Sequence, residues 1–387
     1  MSVRKRKWTN GKGETRESWV VSYSTKEGGK RYQHIETFDR KKDADARHAQ
    51  IKVDLGRGTH VPPSQSITVA EATELWLQAC ASRELEIATL DQYRGHTRLH
   101  IVPLIGEIKL TDLTVAAVRG FEDRLRLDRS ISLVPKVLTT LSSILTDSLE
   151  RGLVARNIVS ELRRNRRGAE GKAARRAKVK LKAGVHIPTP QEVRAIIEHA
   201  TQSNRALLIT AAFTGLRASE LRGLRWIDVD LEANELHVTQ RADIRKRIGV
   251  PKSAAGKRTV PFGKYVANTL REHKLKSGGS ELVFPNYDGG VISLPAIIKG
   301  LKSACVRAGV VTQDGKAKYT GMHAFRHFYA SWSINRVKDG GCELPPKVVQ
   351  ERLGHANISM TLDTYGHLFP RGDDSAILDA AEGMILG

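Results

Sequence analysis

The spacing of apolar positions changes character along the chain. Trp19-Val20-Val21-Ser22-Tyr23 alternates, a Lys26-Glu27-Gly28-Gly29 turn follows, and extended sequence resumes from Lys30 to Phe38, which predicts a β-hairpin. Asp39 is placed to cap a helix from Arg40 to Leu55 that Gly56 closes, and Val61-Pro62-Pro63-Ser64 reads as a connection. Beyond it the period becomes helical. Ala72, Leu75, Trp76 and Ala79 share a face behind a Thr68/Glu71 capping box, with Trp76 in the core. A second box pairs Thr89 with Gln92, and further helices are expected near Val115 to Leu127 and Leu133 to Arg151. Thr189-Pro190-Gln191-Glu192 opens another helical region by the same device, with Pro190 at the first helical position. Short strands are expected at Glu235 to Arg241 and Arg258 to Phe262, around Gly249-Val250-Pro251, and the remainder reads as mainly helical. The fold class is therefore mainly α with small β elements, in a multidomain chain. Residues 1–60 form a basic β-sheet-plus-helix module, 67–160 a helical domain, 161–184 a linker and 185–387 a mixed α+β domain with a tail.

Composition sharpens this outline. A length of 387 residues exceeds one ordinary core. Lys and Arg number 63 against 42 Asp and Glu, a formal charge of +21, which calls for a polyanionic partner, with nucleic acid foremost. No apolar run is long enough to span a bilayer, and no signal-peptide core follows Arg4-Lys5-Arg6-Lys7, so a cytoplasmic protein without a membrane partner is expected. Cys80, Cys305 and Cys342 lie far apart without metal-ligand spacing and read as reduced packing residues. The linker is densely basic: Arg163, Arg164, Arg166, Arg167, Lys172, Arg175, Arg176, Lys178, Lys180 and Lys182 face only Glu161 and Glu170. Such a run buries no core and should be flexible when free, tracking phosphates when the chain closes on a duplex. The bland alternative is a merely solvated linker.

The last segment holds the chemistry. Arg217 lies in Thr214-Gly215-Leu216-Arg217-Ala218-Ser219-Glu220-Leu221, where Gly215 can end one helix and Ser219-Glu220 begin the next, leaving Arg217 at a corner braced by Glu220. A guanidinium fixed there can offer phosphate two parallel donors; taken alone, the octapeptide equally fits an Arg tied to a surface carboxylate. His323, Arg326 and His327 fall on one side of a helix, so periodicity does not exclude His327 from a site. Half a zinc site from His323 and His327 is the competing reading, but no second ligand pair supports it. His355 follows Leu353-Gly354 at a helix end, and Tyr365 sits on a short helix beyond. A phenol is a poor nucleophile at neutral pH, its pKa being about 10, so attack on a phosphodiester needs cations and donors around the phosphate oxygens. Two Arg and two His in this order supply them.

In this combination the sequence resembles the tyrosine recombinase family, and within it the phage-type integrases. The likeness is dense over residues 185–370, through Leu224-Arg225-Trp226-Ile227-Asp228-Val229-Asp230 and the nearly unbroken Leu353-Gly354-His355-Ala356-Asn357-Ile358-Ser359-Met360-Thr361-Leu362-Asp363-Thr364-Tyr365-Gly366-His367. By this resemblance Arg217, His323, Arg326 and His355 activate the phosphate and Tyr365 is the nucleophile. The family's catalytic lysine, in a β-hairpin turn before a strand, matches Lys252 in Pro251-Lys252-Ser253, with Lys257 as the alternative. Ala324-Phe325 stands where the family often has Asp-Leu, a departure that touches packing only. The resemblance also makes residues 1–60 an arm-type DNA-binding module, with Arg31, Tyr32 and His34 as candidate contacts, and 67–160 a core-binding domain.

The implied reaction is attack by Tyr365 to give a 3′-phosphotyrosyl link and a free 5′-hydroxyl. The covalent intermediate keeps the bond energy, so neither a nucleotide cofactor nor, with side chains as the cations, a metal is expected. Lys252 would be the general acid, its pKa falling from about 10.4 toward neutrality among neighbouring cations. His323 would help deprotonate Tyr365 or orient the phosphate. The implied partners are double-stranded DNA attachment sites and a homotetramer on DNA, to which Ile377, Leu378, Ala381 and Ile385 of the tail would contribute an apolar face, with room for a DNA-bending host factor and an excision factor. Integration or excision of a prophage or related mobile element is the favoured role. Its rivals are a type IB topoisomerase-like relaxing enzyme, a non-catalytic DNA-binding regulator, and chromosome-dimer resolution, which would not explain the extra N-terminal module.

Overall fold

At the amino terminus the expected hairpin forms as β2 (Thr15–Glu27) and β3 (Lys30–Phe38), and an unexpected strand, β1 (Ser2–Thr9), extends it to a three-stranded antiparallel sheet. The additional strand contains Arg4-Lys5-Arg6-Lys7, whose like charges disguise it in the sequence. Register resolves the repulsion: Lys7 lies opposite Glu17, and that carboxylate pairs with both Lys5 and Lys7. Alternation sends Val3, Trp19, Val21, Tyr23 and Phe38 onto α1 (Lys41–Gly56), against Ala44, Ile51 and Leu55. Arg4, Arg6 and Arg31 fall on the opposite, open face. The three candidates on β3 therefore do not share a face. Tyr32 and His34 point to the α1 side, where His34 stacks on Tyr23 at 5.1 Å and shares a 2.8 Å hydrogen bond with Thr25.

The structure is a computed structural model that describes residues 1–9, 15–27, 30–56, 60–83, 85–166, 180–370 and 374–386. Contacts divide it into two compact units, Met1–Ala177 and Lys178–Gly387. Besides the sheet, the first unit contains α2 (Val69–Ser82), α3 (Ile87–His96), a π-helical turn (Thr97–Ile101), α4 (Val102–Ile105), α5 (Val115–Asp128), α6 (Val134–Glu150) and α7 (Ile158–Arg166). Trp76, Ile101, Phe121, Leu141 and Ile144 fill its helical core. The Thr68/Glu71 box forms in both directions. The Thr89/Gln92 box does not: α3 starts at Ile87 behind an uncapped Glu86, which leaves Thr89 inside the helix. The linker also differs from expectation. The Asn157 side chain accepts from the Ser160 amide at 3.0 Å and starts α7, so Arg163, Arg164 and Arg166 lie on a helix and not in a flexible run. Arg167, Lys172, Arg175, Arg176 and Lys178 lie outside the described residues.

In the second unit α8 (Pro190–Glu198) begins with the expected Thr189/Glu192 box, followed by α9 (Gln202–Thr214) and α10 (Ala218–Gly223). Short strands follow as β4 (Val229–Asp230), β5 (Glu235–Val238), β6 (Arg241–Ala242), β7 (Ile248–Gly249) and β8 (Arg258–Pro261). Strands β4, β5 and β8 make one sheet in that order, and β6 with β7 a separate ribbon. The strand expected to continue to Arg241 stops at Val238. There Thr239 donates to Asp228 at 2.9 Å and Gln240 to the Gly223 carbonyl at 2.8 Å, which turns the chain out of the sheet. The unit ends with α11 (Lys264–Lys276), α12 (Leu294–Arg307), α13 (His323–Ile334), α14 (Pro346–Leu353), α15 (Ile358–Tyr365) and α16 (Asp374–Leu386).

Helix α9 is buried through Leu207, Leu208, Ile209, Ala211 and Ala212 and packs on α13. Gly215 closes it at φ +64°, and a Cβ there would sit 2.3 Å from the Tyr329 ring. Gly215→Ala should therefore destabilise the chain by about 2 kcal/mol or more, from left-handed backbone strain plus the clash. Gly120→Ala, in the open interior of α5, should be neutral or stabilising by about 0.5–1 kcal/mol. Urea unfolding of the two variants reads the contrast directly.

Candidate active site

The α9–α10 corner is the sequence feature that survives most directly. Gly215 ends one helix and Arg217 is the N-cap of the next. One turn on, Glu220 folds back, its carboxylate accepting from the Arg217 amide at 2.9 Å and from Arg217 Nη1 at 2.8 Å. The expected brace is present, and a second arginine shares it. Arg258, the first residue of β8, donates Nη1 and Nη2 to the same carboxylate at 3.1 and 2.8 Å, and its Nε to the Arg352 carbonyl at 2.7 Å. Glu220 is 3% exposed. Burial pushes its carboxyl up, but bonds and charge from Arg258, then from Arg217, outweigh it and hold the pKa at about 2. Nothing in the spacing of Lys257-Arg258-Thr259 announces which carboxylate Arg258 meets.

Arg326 comes from the end of the first turn of α13 and is 3% exposed. Its Nη1 donates to the Gly215 carbonyl at 2.7 Å and its Nη2 to the Leu353 carbonyl, while Arg217 Nη2 reaches the Gly354 carbonyl at 3.3 Å. Both α9 and α14 end on left-handed glycines, and the two arginines use the carbonyls around those ends. At Gly354 a Cβ would lie 2.9 Å from the Ala255 carbonyl oxygen and 2.9 Å from Arg258, so the approach needs glycine. Burial, then the neighbouring Arg217, lowers the Arg326 pKa to about 9. His355 follows Gly354, shares a 2.9 Å hydrogen bond with Thr361 of α15, and is lowered to about 4 by burial and by Arg326, Arg217 and Arg258.

Tyr365 closes α15 at 2% exposure. Its hydroxyl shares a 2.7 Å hydrogen bond with His327 Nδ1. The sequence leaves His323 either to assist deprotonation of Tyr365 or to orient the phosphate; it starts α13, open to solvent, with its ring 6.0 Å from that of His327. Crowding by protein, then Arg326 and Arg217, lowers the His323 pKa. One helical turn separates the two histidines, and only the third dimension ranks them. Burial raises the Tyr365 pKa to about 12, with Arg326 and Arg217 opposing. Lys252 lines a cleft of about 120 Å³ with Arg217, Ser219, Glu220, Arg241, Pro251, Ser253 and Gly256; Lys257 does not line it. Among the described residues no group of three or more His, Cys, Asp or Glu side chains is placed to hold a metal ion.

The phage integrase family profile matches residues 188–371, and the profile of the phage integrase N-terminal SAM-like domain matches residues 68–126. The chain belongs to the phage integrase family. It is a tyrosine recombinase, a site-specific enzyme that breaks and rejoins DNA strands. It is 28% identical to a tyrosine recombinase XerC-like protein of Caldanaerobacter subterraneus subsp. tengcongensis, over 87% of this chain and 88% of that protein. It is 27% identical to the integrase of Mycobacterium phage L5, over 75% and 78% of the two chains. In fold it resembles the Tn1549 transposon integrase in complex with circular intermediate DNA, at TM-score 0.62, 17% identity and coverage of 82% and 100%. The lambda integrase tetramer bound to a Holliday junction matches at TM-score 0.57, 18% identity and 91% and 96% coverage. These matches favour a recombinase over the topoisomerase and regulator readings.

The Glu220 lock has a direct consequence for this recombinase's stability. Its folded pKa of about 2 lies below the ordinary 4.5, so its contribution is complete above pH 4.5 and is lost as pH falls toward 2. Glu220→Gln should lower unfolding free energy at pH 7 by about 3 kcal/mol, because it leaves the buried Arg258 and half-buried Arg217 guanidiniums without their counter-charge. Urea titrations across pH should show the gap between the two proteins narrowing below pH 4.5.

Proposed function

We propose that Tyr365 attacks the scissile phosphorus of a duplex attachment site and forms a 3′-phosphotyrosyl intermediate. Arg217, Arg326 and His355 hold the non-bridging oxygens, His323 orients the phosphate, and Lys252 protonates the departing 5′-oxygen. One observation carries the reading. Arg217 and Arg326 act on the buried phenol and Arg258 shares a carboxylate with Arg217, yet that carboxylate is the single Glu220, so positive charge is left over for an anion. Backbone carbonyls occupy the remaining guanidinium donors, which phosphate oxygens would take over. The proton given up by Tyr365 and the one delivered to the leaving oxygen balance, and the second transesterification reverses both transfers.

The other assignments follow the architecture. Residues 1–60 serve as the arm-type DNA module, acting through the open sheet face with Arg4, Arg6 and Arg31. Residues 67–160 serve as the core-binding domain, 161–184 as the basic linker, and 185–387 as the catalytic domain with its tail. Leu378 and Ile385 of α16 are 58% and 82% exposed, an apolar face suited to a neighbouring protomer in a DNA-bound homotetramer. The biological role is integration or excision of a prophage or related mobile element by a cytoplasmic, nucleoid-associated protein, with a DNA-bending host factor and an excision factor as further partners. No described helix is long and apolar enough to cross a membrane.

Mapping the cut phosphates on the element's junction DNA supplies the substrate for the decisive test. On a nicked duplex bearing that site, Tyr365→Phe should bind as tightly as the wild type and give no denaturant-resistant protein–DNA adduct. An adduct from this variant removes Tyr365 from the mechanism. Arg217→Ala should lower cleavage by about 10²-fold or more while leaving binding within a few fold; the opposite pattern makes Arg217 a docking residue.

A further inference from the structure

We infer that His327 accepts the proton of the Tyr365 hydroxyl as that oxygen bonds to phosphorus, which makes it a further catalytic residue of this site. The inference rests on Tyr365 being the nucleophile. Its first support is contact: His327 Nδ1 and Tyr365 Oη lie 2.7 Å apart, with the rings edge to face at 5.7 Å and 62°. Its second is that the neighbouring bases are occupied. Both oxygens of Glu220 are taken by Arg217 and Arg258, and His355 Nδ1 is engaged by Thr361. His323 stands at the open end of α13, beyond His327.

The surroundings keep His327 uncharged, as an acceptor must be. His323 and Arg326 face it from its own helix, Tyr365 from α15 and His186 from the segment before α8. Burial, then His323 and Arg326, lowers its pKa to about 4. With the ring proton on Nε2, the Nδ1 lone pair points at the phenol. The scissile phosphate then brings negative charge into this cation-rich pocket, and an anion nearby raises a histidine's basicity. The step balances: the Tyr365 Oη–P bond forms, the P–O5′ bond breaks, the phenolic proton passes to Nδ1, and the 5′-oxygen is protonated by the general acid proposed above. On rejoining, the 5′-hydroxyl attacks, and His327 returns its proton to the departing phenolate. The fold fixes the geometry through Arg326, the residue before His327, which is tied to the carbonyls of Gly215 and Leu353.

The test uses the full chain on the nicked duplex defined by the wild-type cleavage site. His327→Ala and His327→Asn should retain wild-type DNA affinity and form the phosphotyrosyl adduct about 10²–10⁴-fold more slowly. Asparagine keeps an acceptor oxygen near the Nδ1 position without a basic lone pair, so a wild-type rate from His327→Asn reduces the residue to orientation and overturns the inference. A wild-type rate from His327→Ala overturns it outright. A duplex with sulfur in place of the 5′-bridging oxygen separates the two protons, because a thiolate leaves without an acid. That duplex should restore Lys252→Ala and leave both His327 variants slow; restoration of the His327 variants would assign the residue to the leaving group instead. An adduct from Tyr365→Phe would show that the underlying reading, and not this step, had failed.

Discussion

Everything at this site depends on the Glu220 carboxylate held between Arg217 and Arg258. Like charges brought within hydrogen-bonding reach of one carboxylate repel by a few kcal/mol, about 4 kcal/mol for a separation of about 4 Å at an effective dielectric of about 20, and Arg326 adds to the crowding. A buried anion with four donors offsets that penalty and fixes where Arg217 points. It also ties three stretches far apart in sequence into one frame, since Arg258 reaches on to the Arg352 carbonyl. The balance is deliberately incomplete in charge: one carboxylate offsets part of the guanidinium charge, and the remainder is what an entering phosphate would meet.

The second constraint is geometric. Helices α9 and α14 end on Gly215 and Gly354, both in the left-handed conformation, and the carbonyls around those ends receive Arg326 and Arg217. A side chain at either glycine would collide, with the Tyr329 ring in one case and with Ala255 and Arg258 in the other. Close approach of backbone to side chain thus sets the separation of the arginines. Because Tyr329 lies on the same helix as Arg326 and His327, the packing that seats Gly215 also seats the residues around the phenol.

Much of this was legible in the sequence because it is local. The Thr68 and Thr189 boxes, the Gly215–Arg217 corner and the Glu220 brace all act over three or four residues, and the structure keeps them. What was hidden is non-local. Arg258 meets Glu220 across 38 positions, and His327 meets Tyr365 across 38, so no period identifies either pair. A helix places His323 and His327 on the same side, and the choice between them depends on where α15 packs. Strand β1 was obscured by its own charge, which only the opposing Glu17 makes tolerable. The basic run looked unstructured until Ile158, Val159 and Leu162 found the helical core and carried α7 through its first arginines.

The electrostatics also say when the phenol can react. With its pKa raised to about 12 by burial, Tyr365 is un-ionised at pH 7, so the free site holds a protected nucleophile. Phosphate entry does not release it by ionising it beforehand, because added negative charge raises a phenol's pKa further. The same charge raises the basicity of the buried imidazole beside it. Substrate binding therefore moves the two partners of the 2.7 Å hydrogen bond in the same direction, disfavouring a free phenolate while improving the acceptor. The pathway left open is proton transfer concerted with formation of the Oη–P bond, where the phenol's acidity rises as its oxygen is consumed. Positive charge that Glu220 leaves unbalanced thus serves two ends: it attracts the phosphate, and until the phosphate arrives it keeps the base too weak to act.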